Sequence, residues 1–159
     1  MLHIDILCIG KIKEKFFTEA INEYSKRLSK YCKLKIIELP EEKIPDKLNI
    51  SIQNSIKAIE SNRILSKLHK DSYSICLDLK GKNFSSEEFS KHIDFISMQN
   101  SYLTFIIGGS LGLSNSILDE SKESICFSKM TFPHQLIRIF LLEQLFRSFK
   151  ISNGETYHR

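Results

Sequence analysis

The sequence predicts a single α/β domain over residues 1–159, with a mostly parallel sheet and helices on both of its faces. Segments of strand character and segments of helical periodicity alternate along the whole chain. Residues 102–107 are apolar apart from Thr104, which is typical of a central parallel strand that is covered on both sides. No internal repeat, low-complexity segment or interdomain linker interrupts this order, so we expect one domain.

The first half of the chain has a strand–helix–strand–helix order. Residues 2–9 begin with polar and apolar alternation and become wholly apolar, which indicates a strand, and a second strand is predicted over 34–39. Apolar residues at helical spacing predict an amphipathic helix over 14–29. After a charged loop, isoleucines and leucines at the same spacing predict another helix over 52–68.

The second half continues this alternation. Strands are predicted over 73–79, 102–107 and 124–127, and helices over 85–98, from residue 114, and from 133 to 150. Ser85 and Glu88 have the spacing of a capping box, in which a hydroxyl and a carboxylate pair with the first backbone amides of a helix. Pro133 suits the first turn of the last helix, because the N–H that proline lacks would be unpaired there.

The last helix is apolar around its whole circumference. Leucine, isoleucine and phenylalanine occupy nine positions between 136 and 149, and the polar residues among them do not gather on one face. A helix of this kind is buried on more than one side. We therefore expect a homodimer with this helix at its interface. The alternative is a central helix that is wrapped by its own domain.

Positive charge is concentrated at the two ends of the chain. Residues 1–35 hold eight Lys and Arg against four acids, residues 129–159 hold five against two, and the middle holds ten against thirteen. A basic surface built from both ends would suit a polyanion such as RNA. The alternative is an ordinary solvated lysine-rich surface.

The sequence indicates a soluble cytoplasmic protein with no membrane and no metal partner. No apolar run approaches the roughly 20 residues that span a bilayer, and the N-terminus lacks the basic segment of a signal peptide. The four cysteines have no zinc-ligand spacing, and three of them lie in strand-like runs where a thiol is typically a small core residue. They are Cys8, Cys32, Cys76 and Cys126.

Three segments are predicted to meet where a ligand would bind. In open α/β sheets, ligands bind beyond the carboxyl ends of the strands. The segment after Leu77, the glycine loop over 108–112 and the segment over 128–134 lie at that edge. The glycine loop is neither a P-loop nor a dinucleotide fingerprint. It would let a ligand lie against bare backbone, and a tight strand–helix turn is the alternative.

The segment over 128–134 places Met130 and Phe132 beside two hydroxyls, directly before a helix. Exposed apolar side chains in a polar loop indicate that something covers them. They would form the apolar walls of a ligand site, with backbone amides at the helix start as donors. The alternative is that Phe132 packs on the last helix.

The chain ends in Tyr157, His158 and Arg159, which are in turn a stacking group, a proton-transfer group and a phosphate-binding group. An RNA base site requires these types of residue. A frayed terminus without a function is the alternative.

Several motifs together resemble the ribosomal RNA large subunit methyltransferase H family. They are I-G-K over 9–11, Y-S-K-R-L over 24–28, L-D-L-K-G-K over 77–82, I-G-G-S-L-G-L over 107–113, F-S-K-M-T-F-P-H over 127–134, E-Q-L-F-R over 143–147 and Y-H-R over 157–159. The resemblance covers essentially the whole chain. Departures are confined to Leu111 and residues 153–156.

The resemblance implies a SPOUT fold with a C-terminal trefoil knot, and a homodimer. It also implies a reaction, the S-adenosylmethionine-dependent N3-methylation of a pseudouridine in the helix-69 stem-loop of 23S rRNA on assembled ribosomes. The implied cofactor-binding residues are Leu77, Gly108, Phe127, Ser128, Lys129, Met130, Thr131 and Phe132.

The catalytic residues are expected in the tail. His158 is the candidate base for the N3 proton, because its ordinary pKa lies near neutrality, with solvent as the alternative acceptor. Tyr157 would stack on the base, and Arg159 or Arg147 would hold phosphate. A second subunit is expected to help order this tail, which would give a composite site.

Three other functions stay open at this point. The chain would fit a SPOUT methyltransferase that acts on another rRNA or tRNA nucleotide. A non-catalytic ribosome-associated RNA-binding protein would bind RNA without S-adenosylmethionine. A flavodoxin-like nucleotide module is disfavoured by the missing phosphate motif.

Overall fold

The structure is a computed structural model that describes residues 1–157. Its strands are β1 (Leu2–Ile9), β2 (Cys32–Leu39), β3 (Tyr73–Asn83), β4 (Tyr102–Ile107) and β5 (Glu123–Cys126). Its helices are α1 (Lys15–Leu28), α2 (Ile50–Leu65), α3 (Ser86–Gln99), α4 (Asn115–Glu120) and α5 (His134–Ser152). The strands form one sheet in the order β2-β1-β4-β3-β5, and every pairing between them is parallel. The predicted α/β class is confirmed.

Helices cover both faces of the sheet, because the side chains of each strand alternate between two cores. Ile4, Ile6 and Cys8 of β1 face a core that α1, α3 and α5 complete. Leu7 and Ile9 of the same strand face a second core beneath α2 and α4. This arrangement confirms the prediction that both faces are covered.

Helix α5 lies between α1 and α3 and packs on the sheet. Leu141, Leu142, Leu145 and Phe146 are buried there, so the chain's own elements cover much of this apolar helix. Other apolar residues of α5, over 136–140, keep part of their surface exposed. The homodimer through α5 and the trefoil knot stay predictions.

Strand β3 extends four residues beyond its predicted end at position 79. Its ladder with β5 shifts register, so that Leu77 and Lys82 both align with Ile125. Gly81 lies in the shifted part, where a Cβ atom would be 2.5 Å from the carbonyl carbon of Ile125. Only glycine permits this close approach of the two backbones.

The capping box at the start of α3 is confirmed. The Ser85 hydroxyl accepts from the Glu88 amide at 3.1 Å, and the Glu88 carboxylate accepts from the Ser85 amide at 2.8 Å. Pro133 precedes α5 as its N-cap and does not lie in the first turn, where it was predicted.

A buried arginine fixes the start of α5 to the sheet. Arg138 is 1% exposed, and its guanidinium donates to the Glu38 carboxylate at 2.8 Å. It also donates to the backbone carbonyls of Ile9 at 3.1 Å and Gly10 at 2.8 Å. The contacts join α5 to the carboxyl ends of β1 and β2, which is the edge where ligands bind in such sheets.

All four cysteines are buried and unpaired, and burial raises the pKa of the Cys8 thiol to about 12. Within residues 1–157 no helix is both long enough and apolar enough to span a membrane. The same residues contain no cluster of three or more His, Cys, Asp or Glu side chains that would hold a metal ion.

Candidate functional site

A cavity of about 900 Å³ opens at the carboxyl edge of the sheet. Three segments form its walls: residues 77–80 of β3, the glycine loop with its neighbours over 107–113, and part of the segment over 125–134. Three segments were expected to meet at this edge, and they do, although the first of them belongs to β3 and is not a loop.

Seven of the eight residues expected to bind the cofactor line this cavity. They are Leu77, Gly108, Phe127, Ser128, Met130, Thr131 and Phe132. Lys129 belongs to the same segment but is not among the described residues that line the cavity. Its cofactor contact stays a prediction, as do those of the other seven.

The glycine loop closes on itself, which presents its backbone to the cavity. The amide of Gly112 donates to the Gly109 carbonyl at 3.0 Å, and these two residues form a short bridge. A Cβ atom on Gly108 would be 2.9 Å from the carbonyl carbon of Gly112. A larger residue at 108 would therefore open the turn itself, because the space beside Gly108 is occupied by the loop.

The segment between β5 and α5 is held by local contacts. The Cys126 thiol donates to the carbonyl of Ser128 at 2.8 Å, and the Ser128 hydroxyl accepts from the Met130 amide at 3.0 Å. The ring of Phe132 meets that of Phe140 of α5 edge to face, with the ring centres 5.4 Å apart. Phe132 thus packs on the last helix and also lines the cavity. Packing on the helix and a position in the cavity wall therefore do not exclude each other.

His134 also lines the cavity, although the sequence analysis assigned it no role. Burial, and then the neighbouring Arg138 charge, lower the pKa of His134 below its ordinary value. The position of His134 directly after Pro133, at the start of α5, could have indicated that this residue lies at the ligand edge of the sheet. Residues at the first turn of a helix beside a cavity can contact a ligand.

A second cavity of about 550 Å³ adjoins the first. The two share Ile125, Cys126, Phe127, Ser128 and Phe132 as walls. The remaining walls come from the start of α3 with the residues before it, and from α5, and they include Phe84, Ser86, Phe140, Glu143 and Gln144. No local sequence pattern indicates this cavity.

The C-terminal tail, as far as Tyr157, lies next to the second cavity. The Tyr157 hydroxyl donates to the Glu143 carboxylate at 3.3 Å, and the Tyr157 ring packs edge to face on Phe146. The guanidinium of Arg147 lies over the Tyr157 ring at 4.8 Å and pairs with Glu143 at 2.6 Å. This geometry brings Tyr157 together with Arg147, which was predicted to bind RNA.

Contacts within the same chain hold the tail in this position. Glu155 accepts from the Tyr31 hydroxyl at 2.9 Å and pairs with Lys150. The expectation that a second subunit also helps to order the tail stays a prediction. His158 and Arg159, the other two expected catalytic residues, lie outside the described residues.

Comparison with known proteins gives the class of the chain. A family model described as "Predicted SPOUT methyltransferase" matches residues 2–158. The solved structure of a probable methylase family protein from Haemophilus influenzae superimposes with a TM-score of 0.54 at 11% identity, covering 98% of this chain and 70% of that one. The parallel sheet, with its cavity at the carboxyl edge, is thus the scaffold of a SPOUT methyltransferase.

More similar relatives define the family within this class. A ribosomal RNA large subunit methyltransferase H from Clostridium acetobutylicum is 53% identical over 159 residues, which are 99% of this chain and 100% of the relative. A protein of the same name from Clostridium botulinum is 56% identical over the same shares of both chains. The chain belongs to the ribosomal RNA large subunit methyltransferase H family.

Proposed function

We propose that this chain methylates N3 of a pseudouridine in the helix-69 stem-loop of 23S rRNA, on assembled ribosomes in the cytoplasm, with S-adenosylmethionine as the methyl donor. The observation that carries the proposal is the pair of adjoining cavities, one beside the glycine loop and one beside the tail. Transfer between two bound molecules requires two sites that lie next to each other. The names of the full-length relatives support ribosomal RNA as the acceptor.

The larger cavity fits the proposed donor. Its volume of about 900 Å³ lies within the range of small-molecule sites, and Leu77, Met130 and Phe132 provide apolar walls. The exposed backbone of the glycine loop and the start of α5 supply polar groups for the nucleoside and amino-acid parts. His134 adds a polar side chain to the same walls.

When bound, S-adenosylmethionine supplies a methyl group that its sulfonium makes electrophilic. The base must lose its N3 proton and align that nitrogen with the methyl group, and the chain's contribution is to hold this alignment. His158 would accept the proton, and Tyr157 would stack on the base. Arg147 and Arg159 would hold phosphates, and at Arg147 the pairing with Glu143 would have to open or be shared.

A second copy of the chain would complete the assembly by covering α5. The half-buried apolar residues over 136–140 lie next to the cavities, so a partner on this surface would also exclude water from the site. We expect a homodimer through α5, with a tail that contributes to a composite site.

The test combines cofactor binding with methyl transfer. The purified protein is titrated with S-adenosylmethionine by calorimetry and then incubated with the labelled compound and either intact ribosomes or free tRNA. Binding together with label in 23S rRNA is the expected result. Label in tRNA alone would assign the chain a different substrate, and RNA binding without cofactor binding would make it a non-catalytic RNA-binding protein.

Matched variants localise the two parts of the site. Met130 is 73% exposed and lines the larger cavity, so Met130→Glu should leave the fold intact and weaken cofactor affinity at least about tenfold. Met98→Glu is the control, because Met98 is 81% exposed on α3. Deletion of residues 158–159 should abolish methyl transfer with cofactor affinity unchanged. Wild-type transfer by the deletion variant would remove His158 and Arg159 from catalysis.

A further inference from the structure

We propose that the second cavity receives the base that accepts the methyl group, and that Gln144 recognises the edge of that base that carries N1–H and the C2 carbonyl, next to N3. This inference deepens the proposed function and rests on it. It concerns the cavity of about 550 Å³ between the start of α3, the segment after β5, and α5.

The location of the cavity is the first reason. An acceptor nitrogen must come within about 3 Å of the methyl group that it attacks, so the acceptor site has to adjoin the donor site directly. The second cavity is a direct neighbour of the first, because Ser128 and Phe132 line both cavities. Its rim also carries Glu143, the residue that holds the Tyr157 hydroxyl. The expected catalytic tail therefore begins at this cavity.

The walls of the cavity have the composition of a base site. Phe84, Phe132 and Phe140 present aromatic surface, and bases that leave an RNA stack bind between such side chains. Phe132 and Phe140, which pack edge to face on each other, both line this cavity. The volume exceeds that of a single pyrimidine, which leaves space for the sugar.

The orientation of the Gln144 amide follows from its two neighbours. The Ser86 hydroxyl donates to the Gln144 carbonyl oxygen at 2.7 Å, and the Gln144 amide nitrogen donates to the Glu143 carboxylate at 2.8 Å. A carboxylate only accepts hydrogen bonds, so the amide nitrogen must face Glu143 and the carbonyl oxygen must face Ser86. Among residues 1–157 these are the two bonds of this amide, which leaves one N–H and one lone pair for a ligand in the cavity.

This donor–acceptor pair complements one particular edge of pseudouridine. When N3 faces the methyl donor, the other polar edge of the ring presents N1–H and the C2 carbonyl. The Gln144 oxygen can accept from N1–H, and its free N–H can donate to the C2 carbonyl. In uridine, N1 carries the sugar and has no hydrogen. A site built around an N–H donor disfavours a ring without it, because the buried acceptor is left unpaired.

The test compares ribosomes that carry pseudouridine at the target position with ribosomes that carry uridine there. Gln144→Leu should lower kcat/KM about tenfold or more on pseudouridine ribosomes and little on uridine ribosomes, so that the preference for pseudouridine disappears. Ser86→Ala should reduce the preference for pseudouridine severalfold, because the Gln144 side-chain oxygen then loses the hydrogen bond that helps to orient the amide. Gln99→Leu is the matched control at an exposed position at the end of α3.

Further measurements distinguish a loss of base recognition from a loss of folding, and a failure of this inference from a failure of the proposed function. Cofactor affinity and the melting temperature of Gln144→Leu should equal those of the wild type. An equal loss on both kinds of ribosome, or an unchanged preference, would overturn the role of Gln144. Wild-type protein that methylates neither ribosome would instead refute the proposed function.

Direct binding gives a readout that does not depend on turnover. A crystal grown with S-adenosylhomocysteine and soaked in pseudouridine 5′-monophosphate should show the base beside Phe132 and Phe140, within hydrogen-bond distance of the Gln144 amide. A base bound elsewhere, with the second cavity empty, would overturn the proposal.

Discussion

Replacement of Arg138 tests how the sheet positions the start of α5, and with it the wall of the larger cavity. In Arg138→Met, the side chain keeps an unbranched apolar stem but loses the guanidinium. The carbonyls of Ile9 and Gly10 then lose their bonds to Arg138, at a cost of about 1–2 kcal/mol each. Glu38 is about one-third exposed and keeps its bond from the Ile12 amide, so the lost ion pair adds little beyond this.

Two effects reduce the total cost. The Nε of Arg138 has no partner among the described residues, and burial of a guanidinium is itself unfavourable, so methionine relieves both. We therefore expect Arg138→Met to lower the free energy of unfolding by about 2–3 kcal/mol, which corresponds to a melting temperature lower by roughly 5–10 °C. Cofactor affinity should fall as well, because Pro133 and His134 line the cavity one turn before Arg138.

The assay is urea denaturation followed by circular dichroism, with calorimetry for the cofactor. Arg27→Met is the control, because Arg27 pairs with Glu23 on the exposed face of α1, and it should cost less than about 1 kcal/mol. An unfolding free energy of Arg138→Met within about 0.5 kcal/mol of the wild type would refute this reasoning, since the buried carbonyls would then not depend on the guanidinium.

Three other substitutions test separate parts of the fold. Burial raises the pKa of Glu60, so the stability that its protonated form provides is lost as the pH rises through that pKa. Glu60→Gln should therefore melt above the wild type at pH 8 and close to it at pH 4, and the same difference at both pH values would contradict this. Ser85→Ala should cost about 1 kcal/mol in urea denaturation through loss of the capping box, and an unchanged midpoint would show that α3 does not need it. Gly81→Ala should cost about 1–3 kcal/mol in thermal denaturation, because its Cβ would displace the β5 backbone, whereas a stable variant would show that β5 moves freely.

The sequence predicted most elements of the fold because hydrophobic periodicity reports burial directly. Strand β4 was predicted with its bounds, and the helices were predicted to within a few residues of theirs. The polar end of β3 was not predicted, because residues 80–83 pair with β5 only after a register shift, and no local sequence pattern indicates such a shift. Arg138 was recognised only as a polar residue on an apolar helix, since its partners lie at least 100 positions away, in β1, in the loop after it and in β2.

The site was predictable only in part. The three loops of the larger cavity follow from the rule that parallel strands end at a common edge. The second cavity did not follow from any rule, because Ser86 and Gln144 are 58 positions apart and each resembles an ordinary helix residue. The position of Tyr157 depends on Glu143, Phe146 and Arg147 of α5, and such contacts arise only when the tail folds back on the domain.

The most direct measurement is a crystal structure of the protein grown with S-adenosylmethionine. The compound should lie in the larger cavity, between the glycine loop at Gly108 and the segment from Met130 to Phe132, with its methyl group directed at the second cavity. Cofactor density elsewhere on the molecule, or a methyl group directed away from the wall of Ser128 and Phe132, would contradict the proposed arrangement of donor and acceptor.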